Sequence, residues 1–223
     1  MLRAALVLIS ASLLLAACGS DEKQPAPTAA ADPGREVMAA LVAATADDDA
    51  ETVWELLSAQ SRERVGPTFE EFERNEFPEL KRTLAPFAGG SLPVEVSEKI
   101  DDEFGLVALS RRADAYATPL RLDGDVWRVE LRSPVRIDVL GPPPDSRGEF
   151  AQQIGVEKHG AGGAGIAVLY LDGVTLDAQT FSDADSATIF ANFESDLEPG
   201  RHTAVAFTSA AGEAAARAWT FVP

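Results

Sequence analysis

Tyr116-Ala117-Thr118-Pro119-Leu120-Arg121-Leu122, then Asp123-Gly124-Asp125, then Val126-Trp127-Arg128-Val129-Glu130-Leu131 is the stretch that decides the fold. Two runs rich in aliphatic, aromatic and β-branched residues flank an Asp-Gly step, which predicts two antiparallel strands joined by a tight turn. Immediately upstream, Val94 and Val96 alternate with Glu95 and Ser97, and Leu106 to Ser110 is a short apolar run. Together these segments predict an antiparallel meander beginning after Gly89-Gly90.

What precedes the meander has a different period. Val37, Met38, Leu41 and Val42 recur at the three-to-four spacing of one helix face, so a first helix is expected from Arg35 to about Thr45. Asp47, Asp48 and Asp49 favour a new helix start through capping and the helix dipole. A second helix is expected from about Ala50 to Arg64, with Val53, Trp54, Leu56 and Leu57 facing inward, and Gly66-Pro67 ends it. Thr68 and Glu71 form a capping box for a third helix whose apolar face is Phe69, Phe72, Phe77, Leu80 and Leu84, and Pro78 should kink or split it. Three helices followed by a meander make residues 35–132 an α+β domain with a curved sheet packed on helices.

From Ser133-Pro134 onward the composition changes. Short β runs are expected at Val135 to Leu140, Ile154 to Lys158, Ile166 to Leu171, Ala187 to Phe193, Thr203 to Thr208 and Ala216 to Val222. Turn signals separate them at Gly141-Pro142-Pro143-Pro144, Gly160 to Gly165, Asp172-Gly173, Glu198-Pro199-Gly200 and Gly212. This spacing predicts an all-β sandwich over residues 133–223, with Trp219 and Phe221 inward and Thr220 outward.

The N-terminus carries an address. Arg3 precedes an apolar stretch from Ala4 to Ala17, which is too short for the roughly 20 residues of a membrane-spanning helix but suits a cleaved secretory signal over residues 1–17. Cys18 follows Leu15-Ala16-Ala17 and is the only cysteine, so no intramolecular disulfide can form. Residues 19–34 are rich in Pro, Ala and polar side chains and predict a flexible tether after Cys18, with a reach of about 20 to 25 Å.

Charge and composition narrow the function classes. The 223-residue chain is 46% hydrophobic and 25% charged, with a formal net charge of −17. Removing the signal also removes Arg3 and leaves the mature chain one unit more negative. Such a surface is repelled by nucleic acid and by anionic head groups, and neither is expected as a partner. His159 and His202, the only two histidines, are expected at the surface or in turns, with no nucleophile-elbow pattern beside them. No His/Cys/carboxylate spacing suggests zinc, and Asp123, Asp125, Asp183, Asp185 and Ser186 lack the terminal glutamate of a twelve-residue calcium loop. Gly160 to Gly165 has no phosphate-loop lysine and is expected to be a flexible loop. No metal and no cofactor are therefore expected.

Three resemblances add to this reading. The Leu15-Ala16-Ala17-Cys18 segment resembles the lipobox of bacterial lipoproteins, which implies a diacylglyceryl group on the Cys18 sulfur and an extracytoplasmic, membrane-anchored body. Two acyl chains suffice for stable anchoring where one is marginal. The order of elements in residues 35–132, with Asp48-Asp49-Ala50-Glu51-Thr52-Val53-Trp54 and Leu122-Asp123-Gly124-Asp125-Val126-Trp127, is similar to the nuclear transport factor 2-like superfamily, an α+β roll. The ending Leu197-Glu198-Pro199-Gly200-Arg201-His202-Thr203 and Trp219-Thr220-Phe221-Val222 resembles bacterial immunoglobulin-like modules. The expectation is a non-catalytic, lipid-anchored envelope protein that binds an envelope protein or a small ligand. The alternative is an enzymatic, isomerase-like or ligand-binding use of the roll's cone, with Asp114, Tyr116 and Trp127 as the pocket residues. Asp114 and Tyr116 share one strand face by the two-residue period.

Overall fold

Asp32 caps the first helix: its carboxylate accepts the Arg35 amide at 3.1 Å, and Pro33 occupies the first turn, where its missing N–H is harmless. The computed structural model describes residues 32–223 except 149, 151, 164 and 194–196. The signal peptide of residues 1–17, Cys18 and the tether up to residue 31 lie outside the described residues. Helix α1 spans Pro33–Ala46, so it begins two residues before the expected start.

Both longer helices of the sequence reading are broken. Helix α2 (Ala50–Leu56) stops because Leu57 turns extended, with ψ 147°, to pair with Val129 at the sheet edge. Ser58 then donates its amide to the Val129 carbonyl at 3.0 Å and caps α3 (Ala59–Val65) with its hydroxyl. The third helix is split into α4 (Phe69–Asn75) and α5 (Phe77–Leu84), as Pro78 requires: it sits in the first turn of α5, where a proline is tolerated. A 3₁₀ turn, Ala85–Phe87, follows.

Among the described residues the rest is three four-stranded antiparallel sheets. The meander consists of β1 (Val94–Lys99), β2 (Phe104–Arg111), β3 (Asp114–Asp123) and β4 (Val126–Val129), in chain order, with the turn at Gly124. A second sheet runs in the order β5 (Arg136–Gly141), β6 (Gln153–His159), β10 (Ser186–Asn192), β9 (Ala178–Ser182). A third runs β12 (Glu213–Phe221), β11 (His202–Ala210), β7 (Ile166–Leu171), β8 (Val174–Leu176). Strands β8 and β9, short and largely exposed, carry no apolar run long enough for the sequence reading to pick out.

Three apolar clusters bind these layers. Met38, Leu41, Phe72, Leu84, Val107 and Val129 pack between helices and meander, and Ile137, Ile154, Val156, Leu169, Ala206 and Phe221 pack between the second and third sheets. Val96, Phe104 and Leu106 on the other face of the meander meet Tyr170, Val205 and Phe207 on the outer face of the third sheet. The described residues form one compact unit, with four layers stacked as helices, meander, third sheet and second sheet. Two strands in the middle, β2 and β11, are therefore buried on both faces.

Polar contacts lock the meander to the third sheet. Tyr170 donates its hydroxyl to Glu98 at 2.8 Å, and the Ser110 and Thr203 hydroxyls meet at 2.7 Å. Thr220, expected to face outward from the sandwich, does so but is covered: its hydroxyl donates to the Ala113 carbonyl at 3.1 Å and accepts from Arg201 at 2.8 Å. The layer that covers it belongs to the first half of the chain.

Candidate ligand cleft at the junction of the sheets

The three residues singled out from the sequence separate in space. Asp114 opens β3, exposed, opposite Arg111. Tyr116 lies two residues on, and Trp127 on β4 pairs with Leu122, six residues along β3 from Tyr116. At about 3.3 Å per residue that is about 20 Å. Trp127 packs over the floor made by Gly105, where an added Cβ would come within 3.4 Å of its ring. Tyr116 therefore belongs to one end of the meander and Trp127 to the other. The space between the helices and the meander is occupied by their apolar cluster: Met38, Leu41, Phe72 and Val129 are fully buried there.

A buried charge network sits toward Trp127's end of the sheet, around Arg121 and Glu130. Glu130, with its side chain out of solvent, accepts from Ser58 Oγ at 2.7 Å and from Arg121 Nε at 3.0 Å, and faces Arg64 at 3.3 Å. Arg64 also pairs with Glu213 at 2.5 Å, and Gln60 donates to the same carboxylate at 2.8 Å. Arg121 reaches Glu103 and the Gly212 carbonyl, and its guanidinium lies 4.7 Å from the Phe104 ring centre. Helix α3, the meander and the β11–β12 turn thus share one set of charges. The sequence held a signal for this: the Asp-Gly register sets Arg121 directly opposite Arg128. Like charges across a strand pair are unfavourable, so each needs another partner.

A cleft of about 320 Å³ opens where the meander, the connector after Glu130 and β12 meet, with Tyr116, Thr118, Arg132, Arg136 and Arg217 among its walls. A smaller one of about 200 Å³ shares Tyr116, Leu131 and Arg132 with it and extends toward Leu80 on α5. Each arginine already has an acceptor: Arg132 donates to Glu76 at 2.6 Å, Arg136 pairs with Asp138 at 2.9 Å, and Arg217 donates to the Ile137 carbonyl at 2.9 Å. Burial pushes the Tyr116 phenol up to about 12, with the Thr118 hydroxyl pulling the other way. Tyr116 is a neutral donor at physiological pH.

The histidines lie elsewhere. His159 is within 3.3 Å of Asp138, and His202, expected in an exposed turn, is instead buried between Asp172 and the Glu198 carbonyl. The glycine loop after β6 is organised by Lys158, whose buried ammonium donates to the Gly162 carbonyl and, at 2.9 Å, to that of Gly163. Among the described residues no group of three or more His, Cys, Asp or Glu side chains is placed to hold a metal ion. In comparisons with known proteins, no family model matches this chain and no curated protein matches it significantly.

Proposed function

We propose that this chain is a lipid-anchored protein of the cell envelope, held on the extracytoplasmic face of the membrane through Cys18, whose folded body is a non-catalytic binding scaffold. Two features support the modular reading. Helices followed by a four-stranded meander suit a nuclear transport factor 2-like roll. The strand orders β5-β6-β10-β9 and β12-β11-β7-β8 correspond to the A-B-E-D and G-F-C-C′ sheets of immunoglobulin-like sandwiches. The binding role is carried by the junction cleft, which needs both modules for its walls.

In this reading the acyl chains concentrate the protein at the membrane and the fused modules act as one rigid body. Metabolic labelling with an alkyne palmitate analogue, compared between the native chain and Cys18→Ser, tests the anchor. The native chain is expected to label and to sediment with membranes, and the variant to do neither. An unlabelled native chain overturns the proposal.

A further inference from the structure

We propose that the junction cleft binds a small organic anion, an oxyanion head carried on an apolar or ring-shaped body. The inference rests on the binding role above and names its ligand class.

The charge distribution is the first argument. In a chain with 36 acidic and 19 basic residues, three arginines converge on one cleft. One of their partnerships is a surface pair: the side chains of Arg136 and Asp138 are 70% and 42% exposed, whereas Arg132, 54% exposed, holds the part-buried Glu76. Exposed ion pairs are worth about 0–1 kcal/mol, so a ligand oxyanion can displace the protein carboxylate at little cost. Asp138, if released by Arg136, still has His159 at 3.3 Å. Arg217 is less committed still. A guanidinium offers five N–H donors, and among the described contacts Arg217 uses one acceptor, the Ile137 carbonyl.

Three carboxylates line the two clefts: Glu130 in the main wall, and at the extension Glu76, which is held by Arg132, and the solvent-exposed Glu79. Glu130 does not oppose an anion. Its side chain is enclosed and engaged by Arg64, Arg121 and Ser58. The other half of the recognition is apolar. Tyr116, Leu131 and Leu80 line the extension shared with the smaller cleft and offer a ring face and aliphatic surface. The volume is at the lower end of small-ligand pockets, which run about 300–1,000 Å³. Size also excludes a polyanion: beyond a Debye length of about 8–10 Å a polymer meets the acidic surface, whereas a small anion in the cleft is governed by the nearby arginines.

Calorimetric titration of the full chain in phosphatidylcholine nanodiscs, with empty discs subtracted, tests this with three probes: naphthalene-2-sulfonate, the neutral naphthalene-2-sulfonamide and inorganic phosphate. The sulfonate is expected to bind one per chain, and the other two about tenfold more weakly or worse, since charge-assisted hydrogen bonds and apolar burial each contribute that much. Arg217→Ala and Arg136→Gln should each weaken the sulfonate about tenfold, with partial recovery in Arg217→Lys, while Lys99→Ala changes nothing. Circular dichroism checks that each variant is folded, and Arg136→Gln, on an exposed side chain, keeps the test alive should Arg217→Ala unfold. Equal binding of the sulfonamide, equal binding of phosphate, or insensitivity to both arginine variants overturns the proposal. Failure of palmitate labelling with sulfonate binding intact would remove the anchor and leave the cleft, and the reverse result would do the opposite.

Discussion

Both ring nitrogens of His202 face acceptors, Asp172 Oδ2 at 2.6 Å and the Glu198 carbonyl at 2.8 Å, an arrangement that only the protonated ring satisfies at both nitrogens. Burial alone would push its proton off, but the bonds to Glu198 and Asp172 and the Asp172 charge outweigh that, and the ring's pKa is raised. A raised value in the folded state means the stabilisation is fully present below the unfolded value of about 6.5 and is lost as pH rises through the folded one. Thermal melts are therefore expected to show a Tm that falls from pH 6 toward pH 8.5 in the native chain and stays flatter in His202→Gln. Identical profiles would refute the pairing. Glu95, raised by burial and then by Asp172, acts in the same direction but from about pH 4.5 upward, and the variant comparison separates the two. The sequence located His202 beside the Glu198-Pro199-Gly200 turn and nothing more. Its partner Asp172 is thirty residues away in a different turn, and only the pairing of β7 with β11 brings them together.

At the scale of elements, the start of α1 shows packing overriding local propensity. Gly34 belongs to a stretch that reads as linker, yet a Cβ there would come within 2.8 Å of Ser97 Oγ and 2.9 Å of Val107 Cγ2. Ala for Gly in a helix normally gains up to about 1 kcal/mol, less in the first turn, whereas overpacking a tight site costs about 1–3. Val107 is fully buried and cannot retreat, so Gly34→Ala is expected to lower stability by about 1–2 kcal/mol in urea unfolding. A gain would show that the helix end is not docked. The break after α2 has the same origin: helical periodicity runs through Leu57, but the edge of β4 offers a partner that periodicity does not encode. Lys158 is the third case. Ile154, Val156 and Lys158 point inward from β6, and an alternating pattern registers a lysine there as an error rather than as the cap that orders Gly162 and Gly163. Burial lowers its pKa, with Asp185 opposing. Lys158→Met keeps the volume and removes the donors, so amide exchange in residues 160–163 should accelerate while global stability changes by no more than about 1–3 kcal/mol. Unchanged exchange would mean the ammonium does not order the loop.

For the molecule as a whole, the helix, meander and sandwich segments were legible because each rests on local periodicity, but their fusion was not. It depends on which outer faces meet, and a strand such as β11, buried on both sides, looks locally like any apolar run. The fusion makes a thermodynamic prediction that the charge network sharpens. Arg121 contacts Glu103 and Glu130 in the first half and Gly212 in the second, so removing it strands the enclosed Glu130 carboxylate between Ser58 and the more distant Arg64. Breaking a buried pair from one side costs about 3–5 kcal/mol, far more than an exposed pair would. The three tryptophans report on the two halves separately: Trp54 and Trp127 pack against the helix–meander cluster, and Trp219 lies in the sandwich. In urea, the emission change of Trp219→Phe, which follows the first half, should coincide with that of a Trp54→Phe, Trp127→Phe double variant, which follows the second, once each is corrected for its own stability. Arg121→Ala introduced into both should move both midpoints down together. If it shifts only the Trp54 and Trp127 signal and leaves Trp219 in place, the halves unfold independently and the shared network does not couple them.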